Sequence, residues 1–176
     1  MTNKDLTIII TTFKSEDKIE SCLDSIDPSI KVIVIENSNN KKFQNFIENK
    51  YLNTECILAN ENLGYGKANN IGLKKAKTKY CLVLNPDTIL EKDAIRNFYF
   101  SVEKNKNFYI IAPLQVKDEF SKNNNFTNGS TFLEAKHVEG FAMFLNMEKF
   151  SDIGFFDENF FLYLEEIDLC KRVKDK

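Results

Sequence analysis

The chain has 176 residues, of which 43% are hydrophobic, and its formal net charge at pH 7 is −2. This length suits one domain with a substantial core and is short for two domains. So small a net charge provides no basic field for nucleic acid or an anionic membrane, and we expect no nucleic-acid partner.

Five short apolar runs, rich in β-branched residues, predict strands that are buried on both faces of a parallel sheet. The runs cover residues 6–10, 31–35, 56–58, 80–84 and 109–111. Apolar residues at helical spacing lie between them, after an N-cap at Ser15, at Phe43, Phe46 and Ile47, over 66–76 and over 94–102. This alternation predicts an α/β fold with a mostly parallel, Rossmann-type sheet flanked by helices. The Asn-rich stretch at 123–128 is expected to be a loop.

The cysteines and the N-terminus indicate the cellular compartment in which we expect the protein. The four cysteines are widely spaced and form no CxxC pair, which indicates neither a zinc site nor a redox motif. Three of them have apolar neighbours, as is typical of buried free thiols in a reducing compartment. The first residues do not resemble a signal peptide, and no apolar run approaches the roughly 20 residues of a membrane span. We therefore expect a cytoplasmic protein.

Polar residues follow three of the predicted strands, at the points where the strands end. They are Thr11 and Thr12, then Glu36, Asn37 and Ser38, then Asn85, Pro86 and Asp87. In open parallel sheets, ligands bind beyond the carboxyl ends of the strands. These residues should therefore converge at one rim of the sheet, and that convergence indicates a binding site.

Two carboxylates at this rim have a possible chemical use. Asp87 follows a proline that ends the strand, and one exposed aspartate can hold Mg²⁺ or Mn²⁺ that already binds a diphosphate. An ordinary proline or Asx turn would give the same pattern. Glu36 can accept a hydrogen bond from a base N–H or a ribose hydroxyl, or can simply end a strand in a polar loop.

The third predicted helix opens with Gly64 and Gly66, which permit close approach of the backbone. Lys67 lies in the first turn, where the helix dipole disfavours a cation, and a nearby phosphate would relieve that conflict. The spacing fits neither a P-loop nor GxGxxG. Asn69 could reach a nucleoside from this helix, whereas Asn70 could be solvated.

Three carboxylates, Glu165, Glu166 and Asp168, follow an aromatic run at 160–164. On a helix they cannot all face the same way. One of them, beside an apolar wall, could serve as a general base. The alternative is a helix start whose acids suit the helix dipole.

Seven segments occur in a fixed order along the chain, at 8–13, 34–38, 62–72, 84–87, 138–143, 155–158 and 161–172. Together they resemble family 2 glycosyltransferases, especially the bacterial rhamnosyltransferase-like branch. The resemblance implies a GT-A-like catalytic domain over 1–176, with a nucleotide-binding part at about 1–90 and the start of an acceptor part at about 91–176. Family members continue further, so it also implies a domain that is incomplete at its C-terminus.

The resemblance implies a donor-binding role for several residues. Thr12 and Glu36 would cradle the nucleoside, with Asn69 near the base or ribose. Asn85 and Asp87 occupy the family's DXD position, so Asp87 would bind Mg²⁺ or Mn²⁺ on the donor diphosphate. Asn85 replaces the first acid of that motif, and Glu36 stands where Asp is usual.

The resemblance also implies where catalysis takes place. Gly140 would lie in the strand that flanks the donor sugar, and Glu166 matches the general base, although Asp is usual there. We expect the Glu166 carboxylate to face the same cavity as Asp87. Tyr163 and the phenylalanines before it should form an apolar wall beside it, and Glu165 should point towards backbone or solvent.

These roles imply an inverting glycosyltransferase that moves a sugar from a metal-bound dTDP- or UDP-sugar to a hydroxyl of a glycan or lipid-linked glycan. The family works in cell-surface polysaccharide biosynthesis, so the inner face of the membrane is an alternative location. Peripheral membrane contact through a missing C-terminal region and a homodimer both stay open. The alternative function is an inactive nucleotide-sugar-binding module or partner subunit. A nucleotidyltransferase would need a glycine-rich, basic signature after the first strand, which is absent.

Overall fold

The computed structural model describes residues 2–114 and 134–176, so the Asn-rich stretch lies outside the described residues. Its strands are β1 (Leu6–Thr12), β2 (Lys31–Glu36), β3 (Thr54–Leu58), β4 (Tyr80–Leu84), β5 (Ile110–Ile111) and β6 (Ala142–Asn146). Its helices are α1 (Glu16–Asp24), α2 (Lys41–Lys50), α3 (Tyr65–Lys75), α4 (Ala94–Lys104) and α5 (Glu165–Lys174). Short 3₁₀ helices cover Asn3–Asp5 and Met147–Phe150.

The six strands form one sheet in the order β3-β2-β1-β4-β6-β5. Strands β1 to β4 pair in parallel, whereas β6 runs antiparallel to both β4 and β5. Thr12 at the end of β1 lies opposite Glu36, and Leu84 at the end of β4 lies opposite Ala142 at the start of β6. The predicted α/β fold with a mostly parallel sheet is confirmed. The carboxyl ends of β1, β2 and β4 meet the amino end of β6 at one rim.

Helices cover both faces of the sheet, because side chains alternate along each buried strand. Ile8 and Ile10 face α1, α2 and α4, whereas Ile9 faces α3 and α5. Gly72 lets α3 come close to β1, since a Cβ there would lie 2.5 Å from the Ile9 Cγ2 atom. Helices α3 and α5 therefore share one face, and both begin at the rim.

Local expectations differ from the structure at two helices. Phe46 does not share the buried face of α2 with Phe43 and Ile47 but is 45% exposed, because it is offset from both around the helix. Ser15 does occupy the N-cap of α1, yet its hydroxyl donates to the Phe13 carbonyl and caps no helical N–H.

Two further features concern the cysteines and the lengths of the helices. All four cysteines are buried free thiols. In the ranges 2–114 and 134–176, every helix is too short or too polar to cross a lipid bilayer.

Candidate active site

The ends of β1 and β4 each leave one buried polar atom without a hydrogen bond. The Thr12 hydroxyl is 1% exposed, and neither it nor the buried Asn85 Oδ1 has a partner in the described part of the chain. Buried polar atoms are normally paired, because an unpaired one costs about 1–3 kcal/mol. These two predicted donor-binding residues therefore come together at the rim with capacity for a ligand.

Asp87 is presented by a tight turn at the end of β4. The turn is closed by the Thr88 N–H, which donates to the Asn85 carbonyl at 3.1 Å, with Pro86 in its second position. The Asn85 N–H donates to the Phe141 carbonyl at 2.9 Å and so anchors the turn to the segment before β6. Asp87 itself is exposed and makes no hydrogen bond or ion pair with the described residues.

This turn offers the kind of ligand that Mg²⁺ and Mn²⁺ prefer. The Asp87 carboxylate and the unpaired Asn85 amide oxygen are hard oxygen donors on one short turn. Across the described residues, no three His, Cys, Asp or Glu side chains cluster as a metal site of their own. The residues fit a divalent ion that takes its remaining ligands from a diphosphate.

Glu36 is buried at the end of β2, and its carboxylate is already hydrogen-bonded. It accepts from the N–H and hydroxyl of Ser38 and from the N–H of Asn40, which is the N-cap of α2. These bonds shape the turn between β2 and α2. The predicted contact of Glu36 with the nucleoside stays a prediction, and it would add to bonds that the protein makes already.

Asn69 is fully buried on α3 and joins that helix to β1. Its Oδ1 accepts from the Thr11 hydroxyl at 2.9 Å, and its Nδ2 donates to the Tyr65 carbonyl at 3.1 Å. Its predicted contact with the base or ribose is untested and stays a prediction. Asn70 is buried, contrary to expectation, and its amide exchanges hydrogen bonds with the backbone of Phe156.

Gly140 lies in the turn before β6, not in the strand as expected. Its carbonyl accepts a hydrogen bond of 2.8 Å from the Tyr65 hydroxyl. A Cβ on Gly140 would lie 3.8 Å from both Cβ and Cγ of Glu166. Gly140 therefore brings the start of α3 and the start of α5 together at the rim.

Tyr65 lies among the carboxylates of this site. Burial is the main cause that raises the pKa of its phenol, and the charges of Glu165, Glu166 and Asp87 raise it further. Asp87 and Glu166 both lie at this end of the sheet, because Asp87 follows the end of β4 and Glu166 lies beside Gly140 in the turn before β6.

Residues 161–164, directly before α5, are held in place by a backbone hydrogen bond and not by packing of their side chains. The Phe161 carbonyl accepts from the Tyr65 N–H at 2.9 Å, and a Cβ on Gly64 would lie 2.0 Å from that carbonyl oxygen. Tyr163 and Leu164 then adopt left-handed conformations with φ of 68° and 73°. Phe161 and Tyr163 are left 58% and 74% exposed, and the expected apolar wall beside Glu166 stays a prediction.

The three acids at the start of α5 have different surroundings. Asp168 pairs with Arg172 at 2.7 Å, and Arg172 also binds backbone carbonyls of the preceding loop. Glu165 is only 4% exposed, so of the two expected directions, backbone or solvent, the structure excludes solvent. Glu166 is half-buried beside Gly140, which makes it the acid best placed for a reacting group.

Residues 7–169 match the family described as Glycosyl transferase family 2. The chain belongs to that family. The resemblance to family 2 glycosyltransferases that its ordered motifs indicated is therefore confirmed.

Two curated relatives of this family 2 member are, by name, a hexosyltransferase and a rhamnosyltransferase. The low-salt glycan biosynthesis hexosyltransferase Agl10 of Haloferax volcanii is 28% identical over 97% of the chain. The rhamnosyltransferase WbbL of Escherichia coli K12 is 25% identical over 94% of it. The chain spans 62% of the Haloferax protein and 75% of the E. coli protein.

Solved structures show that this family 2 member has the GT-A fold. Residues 1–349 of S. aureus TarS superpose with a TM-score of 0.70 at 18% identity, covering 96% of this chain and 55% of that one. TarS has also been solved with UDP and with UDP-GlcNAc. The mannosyltransferase PcManGT from Pyrobaculum calidifontis, in complex with GDP-Man and Mn²⁺, gives a TM-score of 0.72 at 13% identity. It covers 88% of this chain, which spans 48% of PcManGT.

Tyr65 and Arg172 of this family 2 member were not predicted as site residues from the sequence. Tyr65 reaches Gly140, which is 75 positions further along the chain, and Arg172 fixes the loop before α5. The two glycines that flank Tyr65 were a signal for a tight helix start, but they gave no indication of the hydroxyl's partner.

Proposed function

We propose that the chain carries the donor-binding and catalytic half of an inverting glycosyltransferase. The donor is a dTDP- or UDP-sugar, and the acceptor is a hydroxyl of a glycan or lipid-linked glycan. The observation that carries this proposal is the position of Gly140, which lies beside Glu166 and directly precedes Phe141, whose carbonyl anchors the turn that presents Asp87. It sets a carboxylate suited to a metal-bound diphosphate near one suited to a general base.

The donor would occupy the rim above β1, β2 and β4. The unpaired Thr12 hydroxyl and Asn85 Oδ1 would gain partners from a ligand that offers hydrogen-bond donors there. In this proposal the nucleoside would lie towards the loop that follows β2, and the diphosphate would lie towards Asp87 after β4. The nucleoside diphosphate sugars bound in the TarS and PcManGT structures support this class of donor.

A divalent ion fits between Asp87 and the diphosphate. Bound there, Mg²⁺ or Mn²⁺ would supply positive charge that stabilises the departing diphosphate. Asp87 would hold it through its carboxylate and Asn85 through its amide oxygen. Mn²⁺ in the PcManGT structure supports a metal in a protein of this fold.

Glu166 would act on the acceptor. Its carboxylate would take the proton of the acceptor hydroxyl while that oxygen attacks the anomeric carbon and the bond to the diphosphate breaks. A single displacement of this kind inverts the anomeric centre. Asp168 is neutralised by Arg172 and Glu165 is buried, so neither is placed to take this proton.

Regions of the chain divide between the two substrates in this proposal. Residues up to about 90 supply the nucleoside and diphosphate contacts, and residues from about 91 begin the acceptor side. With a lipid-linked acceptor, the reaction would take place at the face of a membrane.

Calorimetry with nucleoside diphosphates tests the donor site directly. UDP, dTDP and GDP are titrated into the chain with and without Mn²⁺, and we expect UDP or dTDP to bind more tightly with the ion. Binding that is absent for all three nucleotides, or equal with and without Mn²⁺, would contradict the proposal. Tight binding with no transfer to any acceptor would favour the inactive-module alternative.

A further inference from the structure

Glu165 is a buried acid for which the proposed reaction has no use. It is 4% exposed and fills the seam between α3 and α5. Its Cβ and Cγ lie 3.5 and 3.6 Å from the place where a Cβ on Gly66 would be. Its Oε2 atom is buried and finds no hydrogen-bond partner in the described residues. Gly66 thus makes room for the Glu165 carboxyl group, which has too few hydrogen-bond donors around it to stabilise a negative charge.

The groups that face Glu165 offer it no positive charge. On α3 it faces Gly66 and the Tyr65 phenol, whose own hydroxyl donates to the Gly140 carbonyl. On α5 its neighbour is Glu166, a like charge. The loop before α5 contributes the apolar side chain of Phe156, which meets Gly66 at the same place. No Lys, Arg or His of the described chain makes an ion pair with Glu165.

An ionised carboxylate in such a seam is unfavourable on two counts. Desolvation penalises the charged form most, and repulsion from Glu166 adds to it, so that the pKa of Glu165 is raised. The amino end of α5 opposes this only in part, through a backbone hydrogen bond to the carboxylate. A protonated carboxyl group avoids both unfavourable effects.

We propose that Glu165 is a positioning residue that works as a neutral carboxylic acid, packing α3 against α5 while leaving Glu166 as the negative charge that faces the reaction. Its volume holds Tyr65, and with it Gly140, against Glu166. A second negative charge in the seam would repel both Glu166 and a donor diphosphate. This inference rests on the proposed role of Glu166 as the base.

Carboxyl-carbon NMR of the chain labelled with ¹³C-glutamate measures the charge of Glu165 without any substrate. The Glu165 signal is assigned by its loss in Glu165→Gln, with Glu103→Gln, an exposed glutamate on α4, as the matched control. We expect Glu165 to keep its proton at pH values above 4.5, the ordinary pKa of a glutamate. Release of the Glu165 proton at or below that value would overturn the proposal.

The dependence of stability on pH provides a second measurement. The unfolded chain releases this proton near the ordinary value of 4.5, whereas the folded chain holds it to a higher pH. The free energy of unfolding of the wild type should therefore fall, relative to that of Glu165→Gln, as pH rises from about 5 to 8. A difference between the two that is constant over this range would contradict a neutral Glu165.

Positioning is tested by the ¹³Cζ signal of Tyr65. Glu165→Gln keeps the shape of the side chain without charge, so that the signal should stay at its wild-type position, whereas Glu165→Ala should shift it. Equal shifts in both variants would overturn the positioning role. These readouts need no turnover, so a failure of Glu166 as the base, shown by an active Glu166→Gln variant, would be recognised separately.

Discussion

At the scale of single residues, carboxylates that look alike in the sequence have different surroundings at the rim. Asp87 is exposed on a turn fixed by Pro86, Glu36 is bonded within its own loop, and Asp168 is paired with Arg172. Glu166 stands half-buried beside Gly140. The chemistry of each acid therefore follows from its neighbours, which decide whether its charge is exposed, paired or suppressed.

Replacing Asp87 with Ala should remove the metal dependence of nucleotide binding and leave the fold intact. The side chain is exposed and contributes little to the core, so we expect a change in unfolding free energy within about 0.5 kcal/mol. Calorimetry of UDP or dTDP with and without Mn²⁺ makes the measurement. Asp152→Ala, an exposed aspartate after the 3₁₀ helix Met147–Phe150, is the control and should behave like the wild type. Unchanged metal dependence in Asp87→Ala would exclude Asp87 as the ligand.

Replacing Glu166 with Gln should abolish sugar transfer while sparing donor binding, because the amide cannot take the acceptor proton. A general base contributes typically about 10²- to 10⁴-fold to a rate, so turnover should fall by at least about 100-fold. Product formation is measured by mass spectrometry in an active protein, with nucleotide affinity measured in parallel. Glu165→Gln, the neighbouring matched change, should do less harm. Near-normal turnover in Glu166→Gln would mean that another group is the base.

At the scale of elements, the start of α5 is positioned by the start of α3. The contact is a backbone one, since the Tyr65 N–H holds the Phe161 carbonyl and Gly64 leaves no side chain in the way. Two left-handed residues then turn the chain into α5. Strained backbone of this kind tends to occur at ligand-binding and catalytic sites. Here the two left-handed residues come directly before α5, the helix that carries Glu166.

Gly64→Ala tests this contact, with Gly154→Ala as a matched control. Both glycines have positive φ, 78° and 68°, so both substitutions introduce backbone strain. At Gly64 the ψ of −177° adds to that strain, because positive φ with extended ψ is open essentially to glycine alone. A Cβ at Gly64 would meet the Phe161 carbonyl, whereas nothing lies within 4 Å of a Cβ at Gly154. Chemical denaturation should therefore show that Gly64→Ala costs about 1–3 kcal/mol more than Gly154→Ala. Equal losses would mean that the contact with Phe161 does not hold α5.

At the scale of the whole molecule, one continuous sheet with a helical layer on each face supports the rim. Strands β1, β4 and β6 are buried on both faces, and the core divides into two clusters on either side of the sheet. All four cysteines lie in these buried layers. The reactivity of the thiols therefore reports on the integrity of the fold as a whole.

The thiols of the native chain should resist alkylation at pH 8. Burial raises the pKa of Cys22, Cys56 and Cys81 to about 12 each and also raises that of Cys170, so little thiolate is present and access is blocked. Iodoacetamide labelling followed by mass spectrometry should show all four thiols unmodified in buffer and modified after denaturation. Rapid native labelling of any one of them would show that its layer opens locally.

The sequence by itself determined the order and kind of most elements and the rim at which the site forms. Apolar runs and helical spacing are local properties, and in a parallel sheet they dictate which strand ends carry the polar residues Thr12, Glu36 and Asp87. It also placed Asn85 and Asp87 on one turn, because a proline fixes that turn locally.

Only the tertiary structure decided which side chains at the rim are free. Asn69 is bound by Thr11 from 58 positions away, and Tyr65 is bound to Gly140 across 75 positions. Neighbouring acids on α5 differ because α3 buries Glu165 and the turn at Gly140 meets Glu166. Pairing and burial of this kind depend on how separate elements pack, and no local pattern in the sequence encodes that.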